Sequence, residues 1–157
     1  LANYPLVATE EEVRQARKDA EEIHQLDTLD PSIDRRSEEQ QVEHKFRGFL
    51  GEIVLCRANK WKRNRPHGLL FDAEDPEDGR KIEVKVRSKW FTERIPVKPD
   101  SDLAVLLFYE KNEKGEHTFK VVKSFDRFYL QSRGWQIYIT KKYWQAQLEG
   151  KLIRDLR

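Results

Sequence analysis

Methionine is absent and cysteine occurs once, at Cys56, among the 157 residues of the chain. A lone thiol closes no internal disulfide, and with no CxxC and no paired His–Cys spacing it offers no zinc-site pattern either. With Leu1 in first place and no Met anywhere, the numbered chain is expected to lack its initiator. No apolar run approaches the roughly 18 to 20 residues of a membrane span, and no basic region followed by an apolar stretch opens the chain. Neither membrane insertion nor secretion is therefore expected, and the expected location is intracellular, cytoplasmic or nucleoid-associated. A phosphate-cradling glycine loop, a GxSxG elbow and a dinucleotide fingerprint are also missing, which leaves NTPase, serine hydrolase and dehydrogenase readings, and any nucleotide cofactor, without support.

What is present is aromatic and charged. Eight Phe, five Tyr and four Trp are too many for a disordered chain, even with 37% charged residues. The length fits one domain with one core. The net charge of +2 conceals an asymmetry, because residues 1–43 sum to −7 and residues 44–157 to +9. A basic body behind an acidic leader is compatible with nucleic acid bound to the body, and equally with a solvated charged surface.

Thr9-Glu10-Glu11-Glu12 has capping-box spacing, and Val13, Ala16, Ala20, Ile23 and Leu26 follow at helical intervals, predicting an amphipathic helix over residues 10–26. "DTLDPSIDRR" breaks it. Ser37-Glu38-Glu39-Gln40 opens a second helix to about Lys60, with apolar positions at Val42, Phe46, Phe49, Leu50, Ile53 and Val54. "LLFD" at 69–72 reads as a short buried strand, "DPEDG" as a tight turn and "KIEVKVR" at 81–87 as the returning strand of a hairpin. "LAVLLFY" at 103–109 is an uninterrupted apolar run, the pattern of a central strand covered on both faces. "TFKVVKSF" at 118–125 and "WQIYIT" at 135–140 read as two more strands, and Thr140 as the cap of a last helix. The expected fold is α/β, or mixed α+β, with four to five strands in a central mixed sheet flanked by helices. It forms a single domain over 1–157, an acidic helical leader at 1–37 preceding the core at 38–157.

Within "KIEVKVR", Ile82, Val84 and Val86 point one way and Glu83, Lys85 and Arg87 the other. An acid and a base thus share a face of an otherwise apolar strand. Glu52 lies in the apolar stretch "FRGFLGEIVL" of the second helix, on a stripe with Gly48 and beside Gly51. Glycine in a helix interior costs roughly 1 kcal/mol relative to Ala, so close approach of a backbone or ligand is expected there. Asp72 closes "LLFD". Three acids and a lysine therefore fall on a helix, a strand end and a hairpin partner. Three unpartnered carboxylates in apolar surroundings repel one another and carry a desolvation cost of several kcal/mol each. A divalent cation resolves that conflict, and an internal salt-bridge cluster around Lys85 is the alternative.

In this order and spacing, Glu52, Asp72, Glu83 and Lys85 resemble the PD-(D/E)XK nuclease superfamily, the fold of many restriction enzymes, junction resolvases and some homing endonucleases. The resemblance covers residues 44–90 and departs at one letter, Phe71 standing where the motif has Pro. It implies a restriction-endonuclease-like core and hydrolysis of DNA phosphodiesters with Mg²⁺, for which Mn²⁺ is expected to substitute. Asp72 and Glu83 would hold the ion directly and Glu52 through water or a second ion. The ion would polarise the phosphoryl oxygen and ready a water for in-line attack, with Lys85 orienting that water and stabilising charge on phosphorus. The four histidines, at 24, 44, 67 and 117, show no ligand spacing, against a histidine-centred nuclease. "RANKWKRNRPHG" at 57–68 supplies Lys60, Lys62, Arg63 and Arg65 as phosphate contacts, to which Arg87, Lys89 and Lys45 are added. One such site cuts one strand, so double-strand cleavage calls for a homodimer or higher homo-oligomer. The alternative is a catalytically inactive nucleic-acid-binding module retaining the same fold.

Overall fold

The computed structural model describes residues 5–27, 37–66 and 70–150. After the short strand β1 (Leu6–Val7), helix α1 runs over Glu10–Asp27 and α2 over Glu38–Asn59. Both start at the expected capping boxes: Thr9 and Glu12 exchange side-chain and backbone bonds, and Ser37 and Gln40 do the same. Lys60 ends α2 in the left-handed conformation, at φ 58°. There follow β2 (Lys62–Arg63), β3 (Ala73–Glu74), β4 (Lys81–Arg87), β5 (Ile95–Pro96), β6 (Leu103–Lys111) and β7 (His117–Asp126). Helix α3 (Arg127–Ser132), β8 (Gln136–Ile137) and α4 (Lys141–Leu148) complete the described chain, α4 capped by Thr140 as expected.

The architecture is mixed α+β. Six strands form one mixed sheet in the order β1-β7-β6-β4-β3-β2, one more than the expected maximum. β4 and β6 run parallel, and the remaining neighbours are antiparallel. β6 is central and covered on both faces, as its apolar run predicts. Leu103, Val105 and Leu107 join Phe46, Leu50 and Val54 of α2 in one core, while Ala104 and Leu106 join Leu130 of α3 and Trp144 of α4 in a second. α1 is built into the first core through Ala16 and Ala20, both fully buried.

Two strand expectations need correction. The strand placed at 69–72 begins instead at Ala73. Leu70 is 65% exposed, and its carbonyl accepts from Lys98 Nζ at 2.9 Å while that of Phe71 accepts from Asn64 Nδ2 at 2.7 Å. Side chains, not a neighbouring strand, take up these backbone groups; Leu69 lies outside the described residues, as do His67 and the 28–36 connection. The strand placed at 135–140 contracts to Gln136–Ile137 and pairs with β5 in a separate two-stranded sheet. Its apolar alternation is real, because Ile137 and Ile139 are buried in the second core, but that core is reached without joining the main ladder.

Candidate active site

β3 contributes only two residues to its ladder with β4, pairing Ala73 with Ile82 and Glu74 with Lys81. Beyond Ile82 no strand among the described residues lies beside this edge of β4, and Asp72 closes the gap. Its Oδ2 accepts the Val84 N–H at 2.8 Å, a bond that a third ladder residue would otherwise make. In return Glu83 Oε1 accepts the Asp72 N–H at 3.3 Å. The Ile82, Val84 and Val86 face packs on α2, and Glu83 and Lys85 take the opposite side in register with Ala104 and Leu106. Lys85 Nζ stands 3.9 Å from Glu83 Oε2. The alternation expected for this strand is thus observed.

Glu52 comes to the same edge from α2 and is only 6% exposed. Gly51 beside it lets the helix sit down on the sheet, since a Cβ there would stand 2.6 Å from Val86 Cγ2 and 3.2 Å from Leu107 Cδ1. Gly48 faces open space. The partner nearest Glu52 is Arg63, whose Nε is 3.8 Å from Glu52 Oε1 and whose Nη1 is 2.7 Å from Asp19 Oδ2 on α1.

The electrostatics show that these acids sense one another. Burial and then the charge of Asp72 push the Glu52 carboxyl well above its usual range, against the pull of Arg63, and Glu83 and Asp19 push it further. Glu83 is pushed up to about 7 by burial and by Asp72, with Lys85 opposing. Asp72 is raised by burial, against the Val84 N–H, Lys85, Lys98 and Arg63. Glu52, Asp72, Glu83 and Lys85 therefore form one electrostatic cluster. Cys56, one turn beyond Glu52, is pushed up to about 12 by burial and by Glu52, so its thiol is inert at neutral pH.

Among the described residues, no three His, Cys, Asp or Glu side chains already stand grouped as metal ligands. The donor set nonetheless suits a hard cation. It is all oxygen and leaves Asp72 Oδ1 and Glu83 Oε2 outside the two backbone bonds.

The basic residues divide. Lys60, Lys62, Arg65 and Lys89 are exposed. Arg63 is not a surface phosphate contact; it turns inward because Asp19 and Glu52 attract it from two helices. Lys45 Nζ lies 3.3 Å from His24 Nδ1, on the α1–α2 contact. Arg87 Nη1 donates to the Val86 carbonyl at 2.8 Å, and its guanidinium lies 5.7 Å from the Phe91 ring.

Asp19 and Lys98 are the site residues that motif reading misses. Asp19 had a signal, an acid beside the buried Ala16 and Ala20 of α1. Lys98 had none, since only the chain path after β5 brings it to Asp72. No helix among the described residues is long and apolar enough to cross a membrane. Comparison with protein-family models and with curated proteins found no match to this chain.

Proposed function

We propose that the chain is a Mg²⁺-dependent DNA endonuclease with a restriction-endonuclease-like core, hydrolysing phosphodiester bonds. The observation that carries this reading is the pairing of Asp72 with the Glu83–Val84 stretch of β4, Lys85 alongside and Glu52 of α2 close enough for its carboxyl, raised by burial, to be raised further by the charges of both acids. Arg63 and Lys85 stand at 3.8 and 3.9 Å from Glu52 and Glu83 and offset only part of the cost of burying these acids together, and a divalent cation is a further partner their oxygens suit.

Asp72 and Glu83 would hold the cation and Glu52 would complete its surroundings. The ion supplies Lewis acidity toward a phosphoryl oxygen. Lys85 presents its ammonium beside Glu83, where it stabilises charge developing on the reacting phosphate. Lys60, Lys62, Arg65 and Lys89 give the exposed positive charge for a DNA backbone. Cleavage of both strands requires a second copy of the site, hence a homodimer.

A second reading rests on a separate observation. Arg63 and Lys85 already oppose the charge of Glu52 and Glu83, so the fold serves equally as a nucleic-acid-binding module without catalysis. Nicking of supercoiled plasmid with Mg²⁺, with EDTA, and by Lys85→Ala separates the two. Metal-dependent nicking lost in Lys85→Ala supports the endonuclease. Salt-sensitive DNA binding by both proteins with no nicking by either supports the module.

A further inference from the structure

A cavity of about 450 Å³ opens between β7, α3 and α4, on the face of the sheet that carries the second core. Its walls include Arg94, Lys123 and Arg133 together with Tyr129, Tyr138 and Tyr143, and no carboxylate among the described residues. Among the described residues, no ion pair joins any of these three cations to an acid. The Lys123 ammonium stands 4.9 Å from the Tyr143 ring, 5.4 Å from Phe125 and 5.8 Å from Tyr129. The Arg133 guanidinium lies 5.3 Å from Tyr129.

A β-bulge aims Lys123 there. The β6–β7 register steps from Leu106 opposite Lys123 to Leu107 opposite Val121, which leaves Val122 as the extra residue. Val122 enters the second core, and Lys123 turns to the same side, against Tyr129 and Tyr143. Strict alternation would send the two to opposite faces. The three rings hold the ammonium by cation–π attraction, and burial, with no acid beside it among the described residues, lowers the pKa of Lys123. The amino-terminal end of α4, with Thr140 in the cavity wall, adds the positive pole of its dipole.

We propose that this cavity binds a nucleotide unit, its phosphate on Lys123, Arg94 and Arg133 and its base against a tyrosine ring. Three cations without an acid select an anion with more than one charge. Three tyrosines and a volume within the roughly 300–1,000 Å³ of small-molecule sites select one that carries a flat ring. A free nucleotide and the phosphorylated end of a strand share this chemistry. The site is separate from the carboxylate cluster and needs no cation there.

Isothermal titration of the full chain in EDTA tests it, with adenosine 5′-monophosphate, inorganic phosphate, adenosine, and a short oligothymidylate with and without a 5′-phosphate. The monophosphate is expected to bind at least about tenfold more tightly than phosphate or adenosine alone. Arg133→Ala, an exposed change at the end of α3, and Lys123→Gln are each expected to weaken it about 10- to 100-fold, the loss of one charge-assisted contact, with the far-UV circular dichroism unchanged for Arg133→Ala. Tighter binding of the phosphorylated oligonucleotide than of the monophosphate assigns the site to a strand end; the reverse order assigns it to a free nucleotide. No heat from any phosphorylated probe, or equal affinity for adenosine and its monophosphate, overturns the proposal. So does undiminished binding by a folded Arg133→Ala.

Discussion

Asp72 and Glu83 are tied through the backbone: Glu83 Oε1 accepts the Asp72 N–H at 3.3 Å, and Asp72 Oδ2 accepts the N–H of Val84, the residue after Glu83, at 2.8 Å. One carboxylate thus serves both as the closing bond of a truncated ladder and as a candidate cation ligand. Asp72→Asn keeps an oxygen for Val84 and removes the charge. It is expected to stay within about 1 kcal/mol of the parent in urea unfolding with EDTA present while losing metal-dependent nicking. Asp72→Ala leaves the Val84 N–H without its acceptor and is expected to lose about 1–3 kcal/mol as well. Equal nicking by Asp72→Asn and the parent would remove Asp72 from catalysis.

The pH response of the metal-free protein follows from Glu83. Its carboxyl stands at about 7 in the fold against an ordinary 4.5, so between those values the folded chain keeps a proton that the unfolded chain has released. Stability from this group is therefore full below pH 4.5 and is lost as pH rises through about 7. Glu52, raised in the same direction, adds to that fall. Cation binding competes with these protons, so Mn²⁺ is expected to raise the melting temperature more at pH 8 than at pH 5.5. At a concentration 100 times its dissociation constant the gain is about 2.7 kcal/mol. Calorimetric melts with Mn²⁺ and with EDTA at both pH values measure it, and a Mn²⁺ shift that is no larger at pH 8 would count against the carboxylates as ligands.

What the sequence makes legible here is what is local. Both long helices begin at capping boxes written within four residues, and β4 shows its buried and polar sides by simple alternation. β2, β3, β5 and β8 are two residues each, too short for any periodicity, and exist only through their register with a neighbour. "LLFD" has strand composition, but its carbonyls are claimed by Lys98 and Asn64. The quartet Glu52, Asp72, Glu83 and Lys85 was legible because each residue interrupts an apolar pattern. The direction of Arg63 was not, since it depends on Asp19, 44 residues away. Nor was the cavity around Lys123, which hangs on one extra residue in β7.

Arg63 and its exposed neighbours are expected to separate cleanly on mutation. Arg63 is bound to Asp19 at 2.7 Å and faces Glu52, so Arg63→Ala leaves two buried acids without their cation. A loss of about 3–5 kcal/mol is expected, the range for breaking a buried pair. Lys60→Ala and Lys62→Ala, both exposed, are expected to change stability by less than about 0.5 kcal/mol. If they touch phosphate, each lowers the slope of log affinity for DNA against log salt by about one. Urea unfolding and filter binding at several salt concentrations report the two effects separately.

Gly48 and Gly51 lie three residues apart on α2 and respond oppositely to the same change. A Cβ at Gly51 would sit 2.6 Å from Val86 Cγ2 and 3.2 Å from both Leu107 and Phe119, side chains locked in the first core. Gly51→Ala therefore forces α2 away from β4 and β6, at an expected cost of about 1–3 kcal/mol. Because Glu52 is the next residue, that shift also moves its carboxylate relative to Asp72 and Glu83, and nicking is expected to fall with stability. Gly48 has nothing within 4 Å of its added methyl, so Gly48→Ala gains only helix propensity. It is expected to stabilise by about 0.5–1 kcal/mol. Urea unfolding of the two variants side by side measures the split, and destabilisation by Gly48→Ala would mean that the space beside it is needed by the fold.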